Sequence, residues 1–299
     1  MADAKLITAA DLARVREVDF VERFGESVKK LIEALGITRK VPKQAGTVLK
    51  TYKATGTLED GAVGEGEVIP LSKYKTEAIP YGEITLNKWR KATTAEAIIE
   101  RSFDQAVSMT TDRMLKDVQK KIRNDFFAFL ATGTGKASGV GLQGALAQVW
   151  GQLQVLFEDD DVQAVYFINQ LDIADYLATA EITTQTAFGF TYIENFLGLG
   201  TVILNSSVPR GKVYGTAVDN LVLYYIPVNG ADLQEAFSFT SDETGYIGIH
   251  EQSDYTNLTA FDTVVNGMAL FAERLDGVVV GTVSASTEAA GSASTEAAG

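Results

Sequence analysis

The chain has 299 residues, no cysteine, a single histidine (His250) and a net charge of −13. Without cysteine it has no disulfides, thiolate metal sites or Cys nucleophiles, and one histidine excludes most zinc enzymes and most Ser/His/Asp hydrolases. The length allows one large domain or two moderate ones, no apolar run is long enough to span a membrane, and residues 1–30 lack the apolar core of a secretory signal.

The charge is unevenly spread. Residues 1–136 carry 23 Lys and Arg against 19 Asp and Glu, whereas residues 137–299 carry 3 against 20. The second half therefore offers no basic nucleic-acid surface and would repel DNA rather than grip it.

In chain order, residues 9–35 read as a charge-rich helix. Its apolar stripe is Leu12, Val15, Val18, Val21, Val28, Leu31, Ile32 and Leu35, with Phe20 and Phe24 beside it, and Gly36 ends it. Pro42 and Gly46 then break regular structure. This beginning reads as an extended arm with too little apolar surface to fold alone. Residues 47–58 alternate polar and apolar, 60–67 form a glycine-rich acidic turn with Gly61, Gly64 and Gly66, and 68–89 return as strand. The pattern predicts a long two-stranded hairpin. Such a ribbon is marginal in water by itself, so it is expected to lie on a neighbouring subunit.

The stretch 93–131 predicts one very long helix. Ile99, Phe103, Val107, Met114, Val118, Ile122, Phe126 and Leu130 recur at helical spacing, and Ala95, Ile98, Ala106 and Phe127 widen that face. Thr93 and Glu96 read as a capping box, and Gly133 as a left-handed stop. At 1.5 Å per residue the helix would be roughly 55–60 Å long, a spine rather than an ordinary helix.

Residues 132–144 read as a flexible joint containing Gly133, Gly135, Gly139 and Gly141. Gly139 to Gly144 match G-x-G-x-x-G by letter but follow a helix, not a strand, so the dinucleotide reading fails. Gly135-Lys136 lacks the first Gly and the Ser/Thr of a phosphate loop. A second helix is predicted over 143–157, a solvated acidic loop at 158–161, a buried strand at 162–169 and a short helix at 170–180. Short strands follow to 283, with His250 in a structural or surface position. Residues 284–299 are SASTEAAG twice, a flexible tail by composition.

This order of arm, glycine-tipped hairpin, long helix, acidic α/β region and return strand resembles the major capsid proteins of tailed bacteriophages with the HK97-type fold. VKKLIEALGITRKVP followed by GTVLKTYKATG and EGEVIPLSKYK looks like the family's arm-to-hairpin passage. YFINQLDIADYL looks like its strand–helix unit, and GMALFAERLDGVVVGTV like its closing strands. The resemblance covers roughly residues 15–283.

The resemblance implies an α+β fold in which 1–46 is the N-terminal arm and 47–86 the extended hairpin, or E-loop. A peripheral domain would hold 87–137 and 256–283, including the spine helix 93–131. An axial domain would hold 138–255, and 284–299 would be a tail. It implies a shell protein, not an enzyme, that self-assembles into the hexamers and pentamers of an icosahedral head around double-stranded DNA, without sequence-specific DNA binding and without a membrane. No cofactor, metal or catalytic residue is expected. The family's N-terminal scaffolding segment is not present, which implies a separate scaffolding protein alongside a portal. The expected location is the virion, after assembly in the host cytoplasm. Lys50, Lys53, Lys73 and Lys75 lie in the hairpin, but no acceptor Asn and catalytic Glu match the family's crosslink, so none is expected. Gly61, Gly64 and Gly66 are the expected flexible tip, and Gly133, Gly135, Gly139 and Gly141 the expected joint. Two other readings remain open: an encapsulin-type nanocompartment shell, and a hydrolase built on a carboxylate pair.

Overall fold

The computed structural model describes residues 9–64, 66–158, 162–174, 185–187 and 190–284. Most of the helix expected over 170–180, most of the acidic loop 158–161 and nearly all of the repeat at 284–299 lie outside the described residues.

Helix α1 (Ala9–Leu35) ends at Gly36, whose φ of +66° suits the left-handed stop that terminates a helix. Its apolar face is not left bare, as the reading of a free arm implied. Phe20, Phe24, Val28, Leu31 and Leu35 are fully or almost fully buried in the main core, each worth about 2–3 kcal/mol of apolar burial. Strand β1 (Arg39–Pro42) follows. It runs parallel to β11 (Leu221–Tyr225), which also pairs with β14 (Ala269–Ala272) in a three-stranded sheet. The hairpin is β2 (Val48–Thr57) against β3 (Lys73–Glu83), antiparallel, with a bulge between Leu49 and Lys50.

The long helix is broken. Strand β4 (Asn87–Thr94) continues through the expected capping box, because Thr94 pairs with Thr259 and Ala95 N–H donates to Leu258 O. The N-cap is Thr94, whose hydroxyl accepts from Ala97 N–H at 3.4 Å, so the Thr93–Glu96 box does not form. Helix α2 (Ala95–Arg101) stops at Ser102, with φ +69° and ψ +154°. A π-turn over Asp104–Ser108 leads into α3 (Met109–Leu130). The uninterrupted spine is thus 22 residues, about 33 Å. Val107, Val118, Ile122, Phe126, Phe127 and Leu130 are buried as the spacing predicts, but Ile99 and Phe103 before the kink are exposed. Helix α3 ends at Ala131, whose N–H bonds back to Phe127 O; Gly133 is not in the left-handed region.

The largest sheet has seven strands: β5 (Gly135–Val140), β15 (Val278–Ser284), β10 (Lys212–Ala217), β6 (Ala164–Ile168), β9 (Gly200–Leu204), β8 (Phe190–Phe196) and β7 (Gln185–Ala187), in that order. The all-apolar run of β6 is buried along its whole length, as a strand covered on both faces requires. Helix α4 (Gly141–Leu156) covers one face with Leu146, Val149 and Leu153. Helices α1 and α3 cover the other, where Phe126 and Phe127 stack edge-on against Phe167, both at 5.5 Å. The last strand sits between β5 and β10 in this sheet. A third sheet is β12 (Ile247–Asp254), β13 (Thr259–Asn266) and β4. A short helix, α5 (Ala231–Ala236), precedes β12.

Candidate assembly interface

The hairpin is the feature the fold does not complete. Both strands are solvent-exposed over most of their length, and among the described residues no third strand joins them. The tip carries Leu58, Val68, Ile69 and Leu71, and Val68 and Leu71 are more than 90% exposed. Water-exposed side chains of this size, set together, mark a surface that meets another surface.

The root, by contrast, is fixed. Leu49 and Ile84 pack with Val222 and Tyr224 of β11 in a small core of their own. Tyr81 and Tyr224 share a 2.7 Å hydrogen bond, and Tyr224 donates to Glu273 at 3.1 Å. Glu273 also takes a two-pronged ion pair from Arg39, at 2.6 and 2.8 Å. The Arg39 hydrogen bonds hold the Glu273 carboxyl below its ordinary value, while burial, reinforced by the Tyr81 bond and Glu273, raises the Tyr224 phenol. Lys53 reaches Asp276 at 3.3 Å, and Gly82 lets Phe271 lie where a Cβ would come within 2.5 Å of its ring. A cleft of about 540 Å³ remains between the ribbon and the 273–276 turn. Of these root residues the sequence reading named only Lys53, among the hairpin lysines; Arg39, Tyr81, Tyr224 and Glu273 are far apart in the chain and no motif joins them.

The predicted glycines divide. Gly61 and Gly66 stand in open space, and Gly66 has φ +86°; a Cβ on Gly64 would touch only the Glu67 side chain, at 3.3 Å. Gly133, Gly135 and Gly139 are in close contact instead. Gly135 and Gly139 lie within strand β5, paired in parallel with β15. A Cβ on Gly133 would meet Val278 O at 2.7 Å, one on Gly135 the same oxygen at 2.9 Å, and one on Gly139 would collide with the Gly144 backbone. Gly141, at φ +67°, starts α4. Residues 135–140 are therefore a knitted strand, not the loose joint their composition suggested.

A buried polar cluster ties α1 to the β12–β13–β4 sheet. Arg16 pairs with Glu251, Glu17 accepts from Glu251 N–H and from the Thr240 hydroxyl, and Lys91 pairs with Asp262 at 2.7 Å. The Thr111 hydroxyl donates to Asp262 at 2.9 Å. Burial pushes the Glu251 carboxyl up to about 7 against the pull of Arg16, and one of its oxygens has no partner. His250 is on the opposite face, edge-on to Phe239 at 6.4 Å. Glu17 and Glu251 meet between α1 and the sheet, and Asp262 is buried against Lys91 and Thr111 of α3, so they do not form an open cleft of the kind a glycosidase pair needs. Among the described residues, no helix is long and apolar enough to cross a membrane.

No protein-family model matches the chain. No curated protein sequence matches it either. Solved structures do. The capsid asymmetric unit of cyanophage A-1(L) aligns with a TM-score of 0.53 at 14% identity, over 84% of this chain and 92% of that one. The Gordonia phage Cozz structure aligns at 0.52 and 12% identity, over 86% and 87%. The capsid of an empty GTA particle aligns at 0.52 and 9% identity, over 83% and 88%. At such low identity the likeness speaks to architecture alone, and it runs through nearly the whole length of each partner: this chain has the mixed α+β, HK97-type fold of phage capsids.

Proposed function

We propose that the chain is the major capsid protein of a tailed phage, its copies gathered into hexamers and pentamers of an icosahedral shell around double-stranded DNA. The observation that carries this is the hairpin: a ribbon about 33 Å long, anchored at its root, bare on both faces and apolar at its tip. An isolated ribbon of two strands is barely stable in water, so neighbours must supply what covers it. The arm contributes less to the case than its sequence suggested, because α1 is housed in its own core. The peripheral unit in this reading is built around α3 and the β12–β13–β4 sheet, and the axial unit around the seven-stranded sheet and α4. Gly61, Gly64 and Gly66 let the tip bend between five- and six-fold surroundings. The acidic second half leaves packaged DNA unbound, and a scaffolding protein and a portal complete the head, assembled in the host cytoplasm.

The test is the mass and appearance of the purified chain. Capsomers or closed shells in negative-stain images are expected. A monomer at high concentration, with its hairpin ordered on its own body, would overturn the reading. Shells filled with a protein cargo and lacking a portal vertex would point to a nanocompartment instead.

A further inference from the structure

We propose that Asn229 is a self-modifying site, where the chain exchanges a side-chain amide for a carboxylate and so loosens the turn that Asn229 holds. The inference goes beyond the shell reading and does not depend on it. The chain has two Asn-Gly pairs, Asn229-Gly230 and Asn266-Gly267. In such a pair no side chain shields the glycine nitrogen, which can then approach the asparagine amide carbon. The fold treats the two pairs in opposite ways. Asn266 is fully buried at the end of β13, its Nδ2 donating to Tyr246 O at 2.9 Å and its Oδ1 accepting from Met268 N–H at 3.1 Å. A Cβ on Gly267 would come within 2.5 Å of Ile226, so the backbone beside Asn266 has no room to swing. Asn229 is exposed, on the turn from Pro227 to Gly230. Its Nδ2 reaches the Asp242 and Glu243 carbonyls at 3.3 Å each, long for a hydrogen bond. The Gly230 N–H is held to Pro227 O at 3.2 Å, and a bond of that length at the surface opens readily.

The reaction balances with water as the sole co-reactant. Gly230 N, having given its proton to hydroxide, attacks Asn229 Cγ. A C–N bond forms, the bond from Cγ to Nδ2 breaks, and that nitrogen takes up a proton from water and leaves as ammonia. Water then opens the cyclic imide at either carbonyl, giving aspartate or its isomer with the backbone routed through the side chain. One amide has become one carboxylate, and the chain is more negative by one charge. The product cannot keep the contacts of the parent. The two carbonyl oxygens that accepted from Nδ2 now face another acceptor. Asn229 Oδ1 also lies against Gly245, where a Cβ would be 2.4 Å from it, and Val228 N–H donates to Gly245 O at 2.9 Å. The 227–230 turn thus holds the 242–245 turn. That second turn touches α1, since a Cβ on Gly25 would meet Asp242 Oδ2 at 2.7 Å. Modification at Asn229 therefore loosens a loop against which α1 rests.

Peptide mass mapping of the native chain, incubated at neutral and at mildly alkaline pH, tests this. The Asn229 peptide is expected to convert to two products of deamidated mass, the Asp and isoaspartyl forms. Conversion should be faster at the higher pH, because the attacking nitrogen must lose its proton. The Asn266 peptide should stay unchanged in the folded chain and convert at a rate comparable to that of Asn229 once guanidinium unfolds it. An Asn229 peptide that converts only after unfolding overturns the inference, and so does equal conversion of both peptides in the folded chain. Asn229→Gln, whose longer side chain would have to close a larger ring, should keep its mass under the same incubation. Conversion of that variant at the wild-type rate would mean that the Gly230 nitrogen is not the attacking group, which also overturns it. Asn229→Asp supplies the product's charge directly and should melt about 2–4 °C below wild type. Equal melting points would overturn the loosening.

Discussion

At the scale of single residues, the glycines show how one residue type serves opposite purposes. A Cβ on Gly139 runs into the Gly144 backbone of α4, so either the helix shifts or β5 is pushed off β15, whereas a Cβ on Gly61 meets nothing. Gly139→Ala should therefore cost several kcal/mol, on the order of the 3 kcal/mol seen for severe overpacking, and Gly61→Ala should stay within about 0.5 kcal/mol. Thermal melts of the two variants decide it; equal midpoints would mean that β5 gives way freely. The composition of residues 132–144 could not reveal this difference. Glycine is written the same way whether it supplies freedom or close approach, and the Val278 and Val279 side chains and backbone that press on it come from the far end of the chain.

Glu251 makes a second prediction at this scale. Its carboxyl is raised from 4.5 to about 7, chiefly by burial. Between those values the folded chain holds a proton that the unfolded chain has lost, so the contribution to stability is full at acid pH and falls as pH rises toward 7 and beyond. Each unit is about 1.4 kcal/mol, so wild type should lose on the order of 3 kcal/mol between pH 4.5 and 8 from this group, and Glu251→Gln should lose less than about 1. Denaturation midpoints of the pair across that range measure it. Parallel slopes for wild type and variant would show that Glu251 does not titrate there.

At the scale of elements, the hairpin was legible and the kinked spine was not. The hairpin could be read because two alternating runs flank a glycine-rich turn, although the returning strand is Lys73–Glu83 rather than 68–89, whose last residues open β4 and pair with β13 instead. The spine failed for a physical reason. Helical spacing continues unbroken through Ile99, Phe103 and Val107, and nothing in that pattern records that Arg16 of α1 draws Phe103 under its guanidinium at 4.7 Å. Nor does it record that Lys91 of β4 holds Val107 O, Thr110 and Thr111 from outside the helix. These contacts hold Ser102 at φ +69° and ψ +154°, a region open in practice only to glycine. Ser102→Gly should then relieve strain and stabilise the fold by about 1 kcal/mol, the reverse of glycine's usual effect near a helix. A lower melting temperature for Ser102→Gly would show that the kink carries no strain. The root network was hidden in the same way, because Arg39, Tyr81, Tyr224 and Glu273 converge only after β1, β3, β11 and the bend that follows β14 are in place.

At the scale of the whole molecule, composition said what the chain is not, and architecture supplied the rest. One histidine, no cysteine and an acidic second half argued against most zinc enzymes, most Ser/His/Asp hydrolases and a basic DNA-binding face in residues 137–299 before a single element was assigned. The charge split also sets the last prediction. Nonspecific binding to DNA needs several Lys and Arg on one surface, because each neutralised phosphate releases a counterion. Residues 137–299 offer only Arg210, Lys212 and Arg274, and two of these are engaged, Arg210 with Asp172 and Arg274 with Asp276. In the first half Arg16, Arg23, Arg39, Lys53, Lys75, Lys91, Arg113 and Lys121 are held in ion pairs, and its positive charge is nearly balanced by its own carboxylates, 23 Lys and Arg against 19 Asp and Glu. Assembled capsomers should accordingly bind double-stranded DNA more weakly than the roughly 10⁻⁴–10⁻⁶ M typical of nonspecific binders at physiological salt, with little dependence on salt. Filter binding across 50–200 mM salt separates the outcomes. Tight binding that falls steeply with salt would mean that Lys and Arg of the first half are gathered on a face that meets nucleic acid.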